Sequence, residues 1–330
     1  MKLIFLKATP AQFVMEDAHV RFQLYIAAHK KRNEAVTLKI MDGFPTKSLY
    51  GKYWNLSNQH EVSGTSTSIG DAAVECLEEG NPQLKAQLTL YYGALWDQKS
   101  LSQAASKLKV PDTPARDIQT VCPRDAPRRG KGGSMQNRIK LIHSLAHIES
   151  TAIDLSWDIV ARFAFDKCLP REFIDDWVEV ACDEARHYLM WQTRLEEMDS
   201  FYGALPCHSG LWDTAFETRT CPLERLGIEH MLLEGRGLDV AQGTHAKFLQ
   251  AGDSTSAGLL EAIYCEEVSH VAKGVKWFEW IHSRNDPNML VDPVDTFHDI
   301  VERKFRGKLK GPFNYEARSR ASMRKEYFEY

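Results

Sequence analysis

The chain has 330 residues, of which 43% are hydrophobic and 26% are charged, and it carries a formal net charge of −4. With a mean hydropathy of −0.39, this composition is typical of a globular protein with ample core, in one large or two modest domains. No apolar run approaches the length of a membrane span, so no membrane partner is expected. The net charge argues against extensive nucleic-acid binding but is compatible with a local basic patch.

The cysteines and the start of the chain indicate where the protein works. Its seven cysteines include no Cys-x-x-Cys pair, which favours reduced thiols. The apolar stretch Leu3–Leu6 is too short for the core of a secretory signal. We therefore predict a cytoplasmic protein, with targeting to an organelle left open.

The first third of the chain has weak patterns. Residues 1–65 show apolar runs without a clear period, which suits an N-terminal extension, a small appended unit or a disordered arm. Residues 66–330 are predicted to form the main domain, in which a helical pair at about 69–98 packs outside a bundle core at about 135–283. Between them, residues 110–133 form a connector rich in proline and glycine that includes a basic run.

Four long helices are predicted in the bundle core. Pro170 and Pro222 are tolerated in first turns, Gly203 and Gly252 follow helix ends, and Asp253-Ser254-Thr255 is good N-cap chemistry. The predicted bounds are about 135–165, 170–200, 222–251 and 256–282. Short links join the first helix to the second and the third to the fourth. The link from Phe201 to Cys221 is long enough to run back along the bundle.

After the bundle, the sequence predicts one more helix, ending near Arg306, and then a basic tail. The basic residues of the tail are Lys308, Lys310, Arg318, Arg320, Arg324 and Lys325. We therefore predict an all-α fold, an antiparallel four-helix bundle with one long crossover and extra flanking helices. A single long crossover is the ferritin-like topology.

Two Glu-x-x-His motifs suggest the chemistry. Glu184-Ala-Arg-His187 and Glu267-Val-Ser-His270 each follow another glutamate, Glu149 and Glu234 respectively, by about the length of one helical hairpin. This is the ligand pattern of a four-helix bundle that holds two metal ions, in which one helix of each pair gives a Glu and its partner gives a Glu and a His. Two other matches, Glu16–His19 and Glu279–His282, lack this context.

All four glutamates of the pattern lie on apolar helix faces. Glu149 shares its face with Leu145 and Ile153, for example, and Glu267 shares its face with Ile263 and Val271. Buried carboxylates cost several kcal/mol each unless they are neutralised, and no lysine lies on these faces. Four carboxylates and two neutral imidazoles around two divalent cations have a net charge of zero. The sequence therefore predicts a metal site formed by Glu149, Glu184, His187, Glu234, Glu267 and His270.

Other side chains near these ligands have more than one interpretation. His230 shares the face of Glu234 and suits a seventh ligand, a proton shuttle, a hydrogen-bond donor to a ligand, or a packing role. Tyr188 and Tyr264 suit either the core or a hydrogen bond to bound oxygen. Gly235 and Gly237 indicate close helix approach or room for a substrate. His143 and His147, one turn apart, suit packing or a separate metal.

The sequence from about Asp71 to Tyr327 also resembles an uncharacterised ferritin-like family catalogued as domain of unknown function 455. The resemblance rests on motifs spread over this region: Pro114-Ala-Arg116, His143-Ser-Leu-Ala-His-Ile-Glu149, Ala152-Ile-Asp-Leu155, Asp176-Trp177, Glu184-Ala-Arg-His187, Tyr202-Gly-Ala-Leu-Pro206, Gly210-Leu-Trp-Asp213, Leu233-Glu-Gly-Arg-Gly-Leu-Asp-Val240, Glu266-Glu-Val-Ser-His270 and Gly311-Pro-Phe-Asn314. Gly235 stands where the family pattern has alanine. The resemblance implies a ferritin-like bundle with a di-metal carboxylate centre and names no substrate.

The leading functional prediction is a di-iron oxidoreductase that uses dioxygen and an external electron donor to oxidise a small organic substrate. Glu149, Glu184 and His187 would hold one ion, and Glu234, Glu267 and His270 the other. Manganese suits the same ligands. Similarity to ferritin-like hydroxylases that act on transfer RNA makes a modified nucleoside an alternative substrate, with RNA as partner. A ferroxidase or a non-catalytic metal-handling protein is the competing class, and the oligomeric state is left open.

Overall fold

The structure is a computed structural model that describes residues 62, 64–106, 108–122, 124–127, 133–165, 169–286 and 290–329. The predicted N-terminal extension, apart from Val62, Gly64 and Thr65, lies outside the described residues, as does part of the basic run in the connector. The chain from Val62 to Tyr330 groups into one compact unit.

Regular structure in the described ranges is helical, apart from two isolated β-bridges, so the all-α prediction is confirmed. The helices are α1 (Ile69–Glu78), α2 (Pro82–Asp97), α3 (Met135–Phe163), α4 (Arg171–Glu196), α5 (Gly210–Glu217), α6 (Pro222–Arg225), α7 (Glu234–Gln250), α8 (Ser254–Asn285), α9 (Pro293–Lys304) and α10 (Tyr315–Arg320). A π-helical segment, Leu226–Leu233, joins α6 to α7, and a short 3₁₀ helix covers Lys325–Tyr327. None of the helices in these ranges has the length and apolar character that crossing a bilayer requires.

Local capping explains where the long helices start. The side chain of Ser134 accepts a hydrogen bond from the backbone of Asn137 at the start of α3, and Asp253 does the same for Ser256 at the start of α8. Pro222 begins the third long helix, where its missing N–H costs nothing. The π-helical segment that follows α6 was not predicted from the sequence.

The long crossover runs along α3. Near the N-terminal part of α3, His147 contacts Tyr202 and the backbone of His208. Further along, Leu155 packs with Trp212 and Ala215 of α5. The crossover therefore returns from the end of α4 towards the C-terminal end of α3. The third long helix, which consists of α6, the π-helical segment and α7, consequently starts at the end of the bundle where α4 also starts.

Flanking helices cover the outside of the first hairpin. Helix α1 packs against α3, and α2 packs against α4. Lys85 of α2 reaches Asp154 of α3 at 2.5 Å, and Arg116 of the connector pairs with the same carboxylate. The predicted helical pair at about 69–98 is therefore present and is anchored by a buried ionic group.

The C-terminal tail docks on α7 and α8. The buried guanidinium of Arg318 pairs with Asp239 at 2.7 Å, and Asn314 donates hydrogen bonds to Leu238 and Tyr264. A Cβ added at Gly235 would lie 2.9 Å from the Arg318 guanidinium, so the glycine makes room for the tail. Gly237, by contrast, faces open space.

A buried ion pair links the end of the crossover to α3. Arg225 and Asp158 are both fully buried and lie 2.6 Å apart, and Arg225 also donates to Thr218 and to the backbone of Ala215. Removing one partner of such a pair leaves a buried charge without its counterion.

We expect Asp158→Ala to lower the free energy of unfolding by about 3–5 kcal/mol, because Arg225 would stay buried and uncompensated. Urea unfolding followed by circular dichroism measures the change. Asp299→Ala is the matched control, since its ion pair with Arg303 is exposed and is worth roughly 0–1 kcal/mol. Equal effects of the two substitutions would contradict this assignment.

Candidate metal centre

Four of the six predicted ligands meet in the middle of the bundle. Glu149 of α3, Glu184 and His187 of α4, and Glu267 of α8 each offer one ligand atom, and these atoms all lie within 4.8 Å of one another. The first three residues are buried and Glu267 is partly exposed. The structure thus brings together ligands from three helices and both hairpins.

The two motif histidines face each other across the two motif glutamates. Nδ1 of His187 lies 3.6 Å from Glu184 and 3.4 Å from Glu267. Nδ1 of His270 lies 3.0 Å from Glu184 and 3.5 Å from Glu267. Both glutamates are therefore shared by the two halves of the centre, which is the placement that bridging carboxylates need.

Glu234, the sixth predicted ligand, lies at the edge of the centre. It is not a member of the four-residue group, and its Oε1 lies 2.7 Å from Nδ1 of His230. Burial raises the pKa of Glu234 well above its usual value, and the charges of His270, Glu267 and Glu184 also act on it. Glu234 is thus within electrostatic reach of the centre.

A second layer of acids, which the sequence interpretation missed, contacts the outer nitrogens of both histidines. Nε2 of His187 lies 2.7 Å from Glu266, and Nε2 of His270 lies 3.1 Å from Asp183. Arg186 contacts both of these carboxylates. Ligand histidines commonly donate their outer N–H to a carboxylate, which fixes the ring and directs the other nitrogen to the metal. The sequence does contain a signal for this layer, because an acidic residue directly precedes the glutamate of each Glu-x-x-His motif.

The chemistry of the donor atoms fits a pair of divalent metal ions. Within the described part of the chain, the buried side-chain atoms without a hydrogen-bond partner include four from the predicted ligands: Oε2 of Glu184, Nδ1 of His187, Oε2 of Glu234 and Nδ1 of His270. Buried polar atoms normally have partners, so such a group calls for an explanation. Carboxylate oxygen and imidazole nitrogen together suit iron and manganese. Two such ions would satisfy these atoms.

Burial and the neighbouring charges shift the pKa values of the acids and histidines of the centre. Burial raises the pKa of Glu149 to about 8, against the opposing influence of His187. Burial also acts to lower the pKa of His187, but the surrounding carboxylates, led by Glu149, raise it well above its usual value. Without a metal, protons must therefore supply the positive charge that the carboxylates require, and divalent cations would replace them.

The centre is closed on one side and partly open on the other. The side chain of Glu184 on α4 is 2% exposed, whereas those of Glu267 and Glu266 on α8 are 22% and 29% exposed. Structural metal sites are usually enclosed, while catalytic sites leave access for a further ligand. The partial opening on the α8 side suits a site that takes up small molecules.

The two predicted tyrosines contact flanking segments. Tyr188 is buried and packs edge-to-face on Tyr202 of the crossover, with ring centroids 5.4 Å apart. The hydroxyl of Tyr264 accepts a hydrogen bond from Asn314 of the tail at 2.8 Å. These contacts favour the core interpretation of both residues.

His143 and His147 anchor the crossover. Nε2 of His143 accepts hydrogen bonds from the backbone of Gly203 and Leu205, and both ring nitrogens of His147 have partners. Burial lowers the pKa of both histidines to about 4, so they stay neutral. Of the two interpretations, packing is the one that these contacts support.

The two other Glu-x-x-His matches are not part of the centre as described. Glu16 and His19 lie outside the described residues. Glu279 accepts a hydrogen bond from Tyr327, and His282 pairs with Thr296, both in flanking segments.

Comparison with known proteins adds a family to this geometry. A family model described as "Protein of unknown function (DUF455)" matches residues 78–329. A Haemophilus influenzae protein, described as an uncharacterized protein, is 28% identical over 209 residues, which cover 62% of this chain and 70% of the relative. No solved structure matches. Because the family model spans most of the chain, including all four long helices, the protein belongs to the DUF455 family.

Proposed function

We propose that this protein is a ferritin-like di-iron oxidoreductase that activates dioxygen to oxidise an organic substrate. The observation that carries the proposal is the meeting of Glu149, Glu184, His187 and Glu267 in the core, with Nδ1 of His270 beside the two shared glutamates. The ligand pattern and the long crossover along α3 support the ferritin-like assignment.

Each residue of the centre has a role in this proposal. Glu149 and His187 would complete the ligands of one ion, while Glu234 and His270 would complete those of the other. Glu184 and Glu267 lie between the histidines and would bridge the two ions. Each of these carboxylates would offer two oxygens to the ions.

Bound iron supplies the chemistry that side chains lack, the reduction of dioxygen coupled to oxidation of the substrate. The net reaction places one oxygen atom in a C–H bond and releases the other as water, with two electrons and two protons from an external donor. The protein contributes a rigid ligand frame. Asp183 and Glu266 hold the histidine rings, and the apolar core around α3 and α4 limits access by water.

The partial exposure of the α8 side favours an enzyme over a bundle whose metals serve only stability. The RNA alternative receives less support, because two of the six basic residues of the tail have partners inside the protein. Arg318 is buried against Asp239, and Arg324 pairs with Asp292. Contact with phosphate would require these guanidinium groups to give up their present partners.

We expect the metal-free protein to bind two Mn²⁺ per chain and to become more stable by about 2.7 kcal/mol for each site at 100 times its Kd. Glu184→Gln should weaken both sites, because Glu184 lies beside both histidines. Isothermal titration and thermal unfolding measure these effects. The control is Glu279→Gln, which alters a Glu-x-x-His match outside the centre and should bind like the unchanged protein. Equal binding by the two variants would contradict the assignment.

We expect the protein loaded with Fe²⁺ under argon to change its optical spectrum when dioxygen is admitted, whereas Glu184→Gln does not. Stopped-flow absorption measures the change, and Glu279→Gln serves again as the control. A protein that binds iron but shows no dioxygen-dependent change would refute the oxidoreductase. Accumulation of a ferric mineral in a large shell, seen by sizing chromatography, would indicate storage instead.

A further inference from the structure

Glu234 has a histidine of its own helix at hydrogen-bond distance, 2.7 Å, whereas Glu184 and Glu267 lie 3.6 Å and 3.5 Å from the histidines of their own helices. Nδ1 of His230 lies 2.7 Å from Oε1 of Glu234, so with the carboxylate ionised the ring N–H donates to that oxygen. Oε2 of Glu234 is buried and has no hydrogen-bond partner in the described chain. Glu234 thus has one oxygen committed within the protein and one left to bind an ion.

His230 is held firmly in place. Its ring lies against that of Trp177, with centroids 4.1 Å apart, and is fully buried. On the other side, α8 passes so close that a Cβ at Gly274 would lie 2.8 Å from the backbone oxygen of His230. Reorienting the ring would therefore require these neighbours to move.

The π-helical segment brings His230 and Glu234 together at the junction with α7. The backbone N–H of Glu234 bonds to the carbonyl of Glu229, five residues earlier, which widens the helical turn that includes His230. Wide turns of this kind are rare in helices and are frequent at functional sites. This turn immediately precedes the Glu234 position.

The equivalent glutamate of the first hairpin has no such donor on its helix. Counting back four residues from Glu149 leads to Leu145, an apolar side chain, where the second hairpin has His230. Glu149 also belongs to the group whose ligand atoms lie within 4.8 Å of one another, and Glu234 does not. The two halves of the centre are therefore not equivalent, although their ligand types match.

We propose that His230 is a positioning residue that holds Glu234 with a single oxygen free for an ion and so supports the His270 half, the second of two unequal ion sites to fill. The His187 half is already assembled and fills first. The His270 half fills second, because its glutamate, Glu234, lies outside the assembled group and depends on His230 for its orientation. This inference rests on the proposed function and adds to it an order of loading and the residue that supports the second step.

The test is a titration of the metal-free protein with Mn²⁺, followed by calorimetry and electron paramagnetic resonance. The unchanged protein should bind the two ions in two steps, giving an isolated-ion signal at one equivalent and a spin-coupled pair at two. His230→Ala should weaken the second step by about 10–100-fold and leave the first step unchanged, since loss of a residue that supports a metal ligand commonly has this cost.

Two further variants separate positioning from general stability. His230→Asn places an amide donor near the position of Nδ1 and should restore the second step. Leu145→Ala removes packing at the matching position beside Glu149 and should leave the ratio of the two affinities unchanged. If His230 served only the stability of the fold, His230→Asn would not restore the second binding step. His230→Ala would then also not weaken the second step alone.

The outcomes are distinguishable from failure of the proposed function. If the unchanged protein binds no Mn²⁺, the di-metal proposal itself fails. If it binds two ions of equal affinity, or if His230→Ala weakens both steps alike, the metal centre stands and the role of His230 is refuted. Failure of His230→Asn to restore the second step would likewise refute it.

Discussion

The structure depends on neutralising carboxylates that are buried in the middle of a helical bundle. Glu149 and Glu184 are almost fully buried, and so is Asp183, which contacts His270. An uncompensated buried charge costs several kcal/mol, a large part of the total stability of a domain. The long helices can meet at this point only if protons or cations neutralise these acids. The packing of the bundle core therefore depends on the protonation or the ligands of these side chains.

The second layer of acids joins the two hairpins. Asp183 lies on α4 and contacts His270 of α8, while Glu266 lies on α8 and contacts His187 of α4. Arg186 contacts both acids and so completes an ionic group across the α4–α8 interface. Each motif is consequently oriented by the other hairpin. Displacement of either hairpin would disturb both histidines, which makes the geometry of the centre a property of the whole bundle.

The sequence predicted the long helices and the apolar faces on which the candidate ligands lie, because both follow from a period of 3.6 residues and from local capping. It missed what depends on tertiary contacts. Asp183 directly precedes the ligand Glu184 in the sequence and so lies on a different face of the helix. Its partner, His270, belongs to the other hairpin. The π-helical turn before Glu234 has no sequence signal of its own. Gly235 was interpreted as either close approach or substrate space, and only the buried Arg318, far along the chain, decides for close approach.

The two halves of the centre have the same ligand spacing but different neighbouring side chains, and the proposed difference between them follows from those neighbours. The ligand spacing treats Glu149 and Glu234 alike, yet a leucine precedes one and a histidine the other at the same distance. The side chain of Glu234 is 17% exposed, whereas that of Glu149 is 7% exposed. The glutamate that is held by a donor is thus also the one that solvent reaches more easily.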